Sequence, residues 1–392
     1  MFLRELHVRQ FRGYDSLDLS LKAGPNLFVG PNGAGKSNLL EAVSVLATGN
    51  SHRDAESRQF FPWDKDALFL RGEFEGEESV VVEARQEKGR PRQVKVNNAF
   101  QKRLRDWVGR VPVVTFSPED LNLIKGDPST RRRALDDILI QTSPGYADLL
   151  QRYNKTLEER NAALRAIQEG KASPSSLEPW DISLLREGAA LTLARRDFVR
   201  AFAPKLAERH GGLASDKETA GLAYKPSCTL PAIPERSSPS PSRKDPGEGK
   251  GESAEVAAAN RRRLQDLRDG EFATGNTLIG PHRDDVEFSL NSRSAKAFGS
   301  QGQQRTLAIA FKFTEKDFLE ERLSREPLCL LDDMLSELDG GRRRNLQEIL
   351  SGGAQCLITL TSLQDWDRSA ALPSEANVFD LNEGRIARSA AV

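Results

Sequence analysis

No apolar run of about 18 residues occurs in this chain, so nothing in it reads as a membrane-spanning helix. Cysteine is scarce as well. Cys228, Cys329 and Cys356 are too few and too scattered for a disulfide framework or a metal cluster, which suits a reducing cytoplasm. Charge of one sign is not in excess: Lys plus Arg and Asp plus Glu both number 57, so any basic surface must be local. The N-terminal Met-Phe-Leu-Arg-Glu-Leu-His-Val-Arg carries charges where a secretory signal needs an apolar core. These absences predict a soluble cytoplasmic protein, and 392 residues predict two domains rather than one.

One octet is dense with information. Residues 30–37 read Gly-Pro-Asn-Gly-Ala-Gly-Lys-Ser, an unbroken G-x-x-x-x-G-K-S between the apolar stretch Asn26–Val29 and a segment placing Leu39, Val43 and Leu46 on one helical face. Strand, glycine loop and helix form the context that makes this pattern a phosphate site. Gly30, Pro31, Asn32, Gly33, Ala34 and Gly35 would turn backbone N–H groups toward an anion at the positive end of a helix. Lys36 would reach the β- and γ-phosphates of ATP, and the Ser37 hydroxyl would hold Mg²⁺.

Around the octet the first hundred-odd residues read as strands. Leu17, Leu19 and Leu21 alternate with polar residues, and 68–70, 79–82 and 93–96 are short strands between turns, as in an antiparallel meander. Val113–Phe116 is a further strand closed by Ser117-Pro118. From Ser129 to about His210 the pattern is helical, with Leu135, Ile138 and Leu139 sharing a side. Residues 234–253 contain no large apolar side chain and predict a disordered insert. Strand and helix alternation resumes after about Asn276.

Near the C-terminus Pro327-Leu328-Cys329-Leu330-Leu331 runs into Asp332-Asp333, an apolar strand delivering carboxylates as in a Walker B motif. Asp332 is the expected Mg²⁺ ligand, and Asp333 is placed to orient or deprotonate the attacking water. About twenty-five residues earlier, Ser300-Gln301-Gly302-Gln303 opens a helix and forms a second anion site. That is where ABC-type ATPases carry their signature, and Ser336–Asp339 fits their D-loop, with Asp339 as a further nucleotide contact. Four elements in this order predict an α/β fold: an ABC-type P-loop ATPase head with a mixed sheet and an antiparallel meander, plus a helical arm domain. Both Walker motifs must converge, so the head is expected to be discontinuous, residues 1–116 and 270–392, with the arm at 117–269. In this class one subunit's signature covers the γ-phosphate held by the other, which predicts an ATP-dependent homodimer.

The chain also resembles the RecF family of bacterial DNA replication and repair proteins along essentially its whole length. The resemblance is carried by Leu6–Tyr14, the octet, Ser117–Pro128, Arg131–Asp136, Gly280–Asp285 and Leu331–Asp339. Relatives that tether chromosomes insert hundreds of coiled-coil residues between the Walker motifs. This chain has fewer than three hundred there and no sustained heptads. The resemblance implies a weak, DNA-dependent ATPase in which hydrolysis acts as a switch. It implies binding of single- and double-stranded DNA at gap junctions, and work with RecR and RecO to load RecA in recombinational repair, replication-fork recovery and the SOS response to DNA damage. Among several basic clusters, Arg131, Arg132 and Arg133 gain weight as DNA contacts from this match, ahead of Arg103, Arg105, Arg110, Arg261–Arg263 and Arg342–Arg344.

The chain departs from other ABC-type ATPases in places. Where transporters carry a His after the strand following Walker B, it has Leu357-Ile358-Thr359-Leu360-Thr361, so Thr359 is the expected γ-phosphate contact and hydrolysis less efficient. Asp333 stands for the usual Glu. No Q-loop glutamine is placed, Ser117–Asp120 being the nearest region, and His282 reads as a structural contact. Two other readings stay open: an ABC ATPase serving a transporter, and a nucleotide-gated scaffold without turnover.

Overall fold

In the computed structural model, residues 1–51, 53, 57–214, 218–228, 230, 250–335, 353–366, 376–382 and 385–388 are described. The chain divides into two compact units, Met1–Asp120 with Ile309–Val392, and Leu121–Ala308.

The first unit opens with β1 (Phe2–Phe11), β2 (Tyr14–Ser20) and β3 (Pro25–Val29), then the phosphate-loop octet and α1 (Lys36–Thr48). Strands β4 (Ala67–Glu75), β5 (Val80–Glu87), β6 (Gln93–Val96) and β7 (Ala99–Gln101) follow as hairpins, then β8 (Val113–Phe116). One sheet runs β2-β1-β4-β5-β6-β7, antiparallel throughout. Alternation sets its buried face: Leu6 and Val8 of β1 and Leu68, Leu70 and Phe74 of β4 are inside, and a register shift between Leu3 and Glu5 brings Leu3 inside as well.

The second unit begins with α2 (Asn122–Lys125), α3 (Pro128–Thr142), α4 (Pro144–Gln168) and α5 (Glu178–Leu213). Strand β9 (Ala220–Lys225), α6 (Lys250–Asp266), α7 (Arg268–Thr274), β10 (Asp285–Leu290), β11 (Arg293–Ser294) and α8 (Ala295–Phe298) complete it, and α9 (Gln301–Leu323) starts in it. Its helices carry a small antiparallel sheet, β11-β10-β9. This sheet corrects the expected boundaries. Residues 270–308, read as head, lie in the helical unit because Asp285–Leu290 pairs along its length with Ala220–Lys225. Of the insert read at 234–253, residues 250–253 open α6, and 234–249 lie outside the described residues.

The chain then returns to the first unit with β12 (Leu328–Leu331), β13 (Cys356–Leu360), β14 (Asn377–Asn382) and β15 (Arg385–Arg388). The second sheet of that unit runs β15-β14-β3-β13-β12-β8, parallel except for β15. Its central strands are apolar on both faces, as a covered parallel sheet requires: all of Leu328–Leu331 and Cys356–Leu360 are buried. The register aligns their carboxyl ends, with Val29 beside Leu360 and Leu331 beside both Ile358 and Phe116. Four loops therefore emerge along one edge: the octet after β3, Thr361 after β13, Asp332 after β12 and Ser117 after β8. In open α/β sheets that edge is where ligands bind.

Candidate functional site

The octet is built by its glycines in different ways. Gly33 and Gly35 have φ of +85° and +99°, a left-handed backbone that a side chain resists. Gly30 serves close approach instead: a Cβ there would lie 2.2 Å from the Leu381 carbonyl oxygen of the neighbouring strand β14. The Tyr14 hydroxyl donates to the Gly35 carbonyl at 2.9 Å, and burial pushes that phenol well above its ordinary pKa. Lys36 begins α1 and folds its ammonium back across the loop, donating to the carbonyls of Gly30 (2.5 Å) and Pro31 (3.1 Å). The cation thus already stands over the turn where a phosphate would be cradled.

Ser37 points the other way. Its hydroxyl donates at 2.8 Å to Asp332 Oδ1, joining residues 295 positions apart in the chain. The same oxygen accepts from the Thr359 hydroxyl at 3.0 Å, and the Asp332 amide donates to the Phe116 carbonyl at 2.9 Å. Asp333 adopts a left-handed φ of 49°, and its amide donates to Thr359 Oγ1 at 2.8 Å. Thr359 is fully buried in β13 and braces the Asp332 carboxylate and the Asp333 backbone amide. Its expected contact with a γ-phosphate is corrected accordingly: its hydroxyl is committed to the Asp332–Asp333 turn. The donors suit Mg²⁺. A hydroxyl and a carboxylate oxygen 2.8 Å apart approach the spacing of neighbouring ligands on an octahedron with bonds of about 2.1 Å.

In the helical unit, Ser300 caps α9. Gln303 N donates to Ser300 Oγ (3.3 Å) and Ser300 N donates to Gln303 Oε1 (2.8 Å), a reciprocal capping box. The buried Gln304 side chain anchors the turn by donating to the Ala295 carbonyl at 2.8 Å. Gln301 and Gly302 follow as the first helical residues, whose N–H groups have no intrahelical acceptor.

Residues 2–366 match the RecF/RecN/SMC N terminal domain family. The protein named DNA replication and repair protein RecF of Heliobacterium modesticaldum is 38% identical over 393 residues, 99% of this chain and 100% of that one. The RecF of Natranaerobius thermophilus is 34% identical, over 98% of this chain and 97% of its own. The chain belongs to the RecF family. A solved structure of the recombination mediator protein RecF-ATPrS in the RecFOR pathway covers 99% of this RecF-family chain and 98% of its own, at 29% identity and a TM-score of 0.87. The Smc head bound to the C-winged helix domain of ScpA, at 15% identity and a TM-score of 0.52, shares the ABC-type head fold.

The structure also places the other sequence-read positions of this RecF-family chain. Arg131 is buried and makes a bidentate pair with Asp285 (2.7 and 3.0 Å) besides donating to the Gly126 carbonyl. Arg132 donates to the Asp284 carbonyl at 2.6 Å, and Arg133 lies 3.8 Å from Asp137. Arg131 and Arg132 tie α3 to the start of β10, which corrects their reading as DNA contacts, whereas the Arg133 pair with Asp137 stays within α3. His282 sits between the Tyr153 hydroxyl (2.7 Å) and the Thr277 carbonyl (3.2 Å), and burial lowers its pKa to about 4. Asp339, with Ser336–Leu338, and Arg342–Arg344 lie outside the described residues, whereas Arg261–Arg263 are exposed. Ser362 is not singled out in the sequence, and Thr361 only closes the stretch that stands where transporters carry a His. They follow β13, which lies between the strand feeding the octet and the strand feeding Asp332, but only strand order reveals that.

No described helix is long and apolar enough to cross a membrane.

Proposed function

We propose that this chain is an ATP-gated DNA-binding protein of replication and repair, with slow ATP hydrolysis as its reset. The observation that carries the reading is the 2.8 Å hydrogen bond from Ser37 to Asp332, which brings the two Walker motifs to one point. The RecF-ATP structure, 28% identical over 99% of this chain, supports a nucleotide there. The backbone of Gly30–Gly35 would wrap the β-phosphate, and Lys36 would turn from the Gly30 and Pro31 carbonyls to the β- and γ-phosphates. Mg²⁺ held by Ser37 and Asp332 would neutralise charge between those phosphates. Asp333, fixed through its amide by Thr359, would orient the attacking water and take its proton. Ser300, with the N–H groups of Gln301 and Gly302, would meet the γ-phosphate held by a second copy, so that ATP rather than ADP closes the dimer.

The closed dimer would hold DNA, single- and double-stranded, at gap junctions, and with RecR and RecO would promote RecA loading. Exposed basic residues at Lys102, Arg103, Arg105 and Arg110, and at Arg261–Arg263, are compatible with phosphate contacts that read no sequence. A titration of gapped DNA with ATP, ADP or no nucleotide, read together with molecular mass, tests this. ATP should produce a dimer and tighten DNA binding together. A monomer that binds DNA equally in all three states would overturn the reading. Ser300→Arg should bind ATP as a monomer yet fail to dimerise, and mixing it with Lys36→Ala should restore one composite site and part of the activity.

A further inference from the structure

We propose that Glu218 is a positioning residue for the signature, fixing which end of the Gln303 amide faces Ser300. The proposal rests on the reading of Ser300–Gln303 as the element that meets a partner copy's γ-phosphate. Gln303 stands between two groups: its Oε1 accepts from Ser300 N at 2.8 Å, and its Nε2 donates to Glu218 Oε1 at 2.9 Å. A glutamine amide has two ends of nearly the same shape and opposite polarity. Flipped, it would set its NH₂ against the Ser300 N–H, donor against donor, and the cap would open. Glu218 forbids the flip, because an ionised carboxylate only accepts and so binds only the NH₂ end.

Glu218 is itself held in place. The next residue, Thr219, exchanges two hydrogen bonds with Asn291, its amide to Asn291 Oδ1 and its carbonyl from the Asn291 amide, both 2.9 Å. These tie the approach to β9 onto the turn between β10 and β11. The second Glu218 oxygen lies 3.9 Å from Nε2 of the fully buried His210, beyond hydrogen-bond reach. Burial lowers the His210 pKa, so at neutral pH this ring is uncharged and does not compete for the carboxylate.

The consequence concerns the Ser300 proton. With the box closed, Ser300 Oγ accepts from Gln303 N at 3.3 Å, and its own hydrogen is left to donate to an incoming anion. With the box open, Oγ loses that fixed role and Ser300 turns among rotamers. Glu218 thus acts on the signature through Gln303, without touching the phosphate.

Three variants test this: Glu218→Ala, Glu218→Gln, and Glu218→Gln combined with Gln303→Glu. Each is measured for ATP affinity of the monomer, ATP-induced dimerisation by sedimentation, turnover and thermal midpoint. Glu218→Ala should weaken ATP-induced dimerisation about tenfold or more, the loss of a hydrogen bond to a charged group, with monomer ATP affinity unchanged. Glu218→Gln should fall between, because its own amide offers either end to Gln303. The double variant should recover dimerisation: a carboxylate at position 303 accepts from both Ser300 N and the new amide, and Glu suits that capping position. If Glu218→Ala lowers the thermal midpoint substantially, the comparison of Glu218→Gln with the double variant decides alone, since a general loss of stability would not be rescued by the exchange. Dimerisation of Glu218→Ala at wild-type ATP concentrations, or failure of the exchange to rescue, overturns the proposal. A wild-type chain that never dimerises on ATP would instead sink the signature reading beneath it.

Discussion

Thr359→Val isolates the brace behind the Asp332 carboxylate and the Asp333 amide. Valine keeps the shape and removes only the hydroxyl, which accepts from the Asp333 amide at 2.8 Å and donates to Asp332 Oδ1 at 3.0 Å. Thr359 is wholly buried, so neither interaction is replaced by solvent from that side. Taking the acceptor from a buried N–H costs about 1–3 kcal/mol, and losing a bond to a carboxylate adds a similar amount that is not fully additive. A loss of about 2–4 kcal/mol follows, roughly 4–16 °C in the midpoint of a unit of about 200 residues. Asp333 holds a left-handed φ of 49°, which a non-glycine residue keeps only where its surroundings fix it. Without the Thr359 oxygen that turn loosens, so turnover should fall about tenfold or more.

Calorimetry without nucleotide, paired with steady-state ATPase assays, separates this account from a phosphate contact. A contact with the γ-phosphate would weaken ATP relative to ADP and leave the nucleotide-free midpoint alone. A brace lowers the midpoint before any nucleotide is added. Thr359→Ser, which keeps the hydroxyl, should stay near wild type. Equal midpoints and equal turnover for the Val and Ser variants would refute the reasoning.

Asp333→Asn keeps size but removes basicity, so ATP should still bind while turnover falls about 10²–10⁴-fold; normal hydrolysis would move the role to another residue. Gly30→Ala should destabilise by about 3 kcal/mol or more, because its Cβ would meet the Leu381 carbonyl oxygen at 2.2 Å. Gly33→Ala, with φ of +85° but nothing within 4 Å, should cost only about 1 kcal/mol of strain, and denaturant midpoints that reverse this order would contradict both assignments. His282 supplies an acid limb: it is kept neutral in the fold with a pKa of about 4, so the unfolded chain takes up its proton first. Stability is therefore whole above about pH 6.5 and falls toward pH 4 by about 3 kcal/mol from this ring. His282→Gln should flatten that limb, leaving the share contributed by buried His210, and an unchanged limb would show that His282 does not control it.

The parts of this molecule legible in sequence are those written in one continuous stretch. The octet declares its loop because strand, glycines, lysine and helix are adjacent. Asp332 was legible because a buried parallel strand is an unbroken apolar run ending at the carboxyl edge. What stayed hidden depends on a partner distant in the chain. Arg131–Arg133 looked like a solvent-facing charge run, but Arg131 pairs with Asp285, 154 positions away. Residues 270–308 alternated like the head, yet β10 has its hydrogen-bond partner in β9, across the stretch read as an insert. Thr359 stands out in the sequence for what it replaces, and only the register of β13 beside β12 shows which way its hydroxyl faces.

The two halves of the proposed composite site share a property that would bear on an ATP switch. Ser37 is already satisfied by Asp332, and Ser300 by Gln303, so neither half needs nucleotide to take its shape. Preformed halves spend little binding energy on ordering, which leaves the contacts of the γ-phosphate to bias association. A ligand shifts an equilibrium only by its difference in affinity between the two states. ADP and ATP differ by that one phosphoryl group. In the proposed dimer the discrimination would therefore rest on the few donors that reach it across the interface: the Ser300 hydroxyl and the N–H groups of Gln301 and Gly302. Small errors in the Ser300 cap should on this account erase the difference between ATP and ADP long before they weaken nucleotide binding itself.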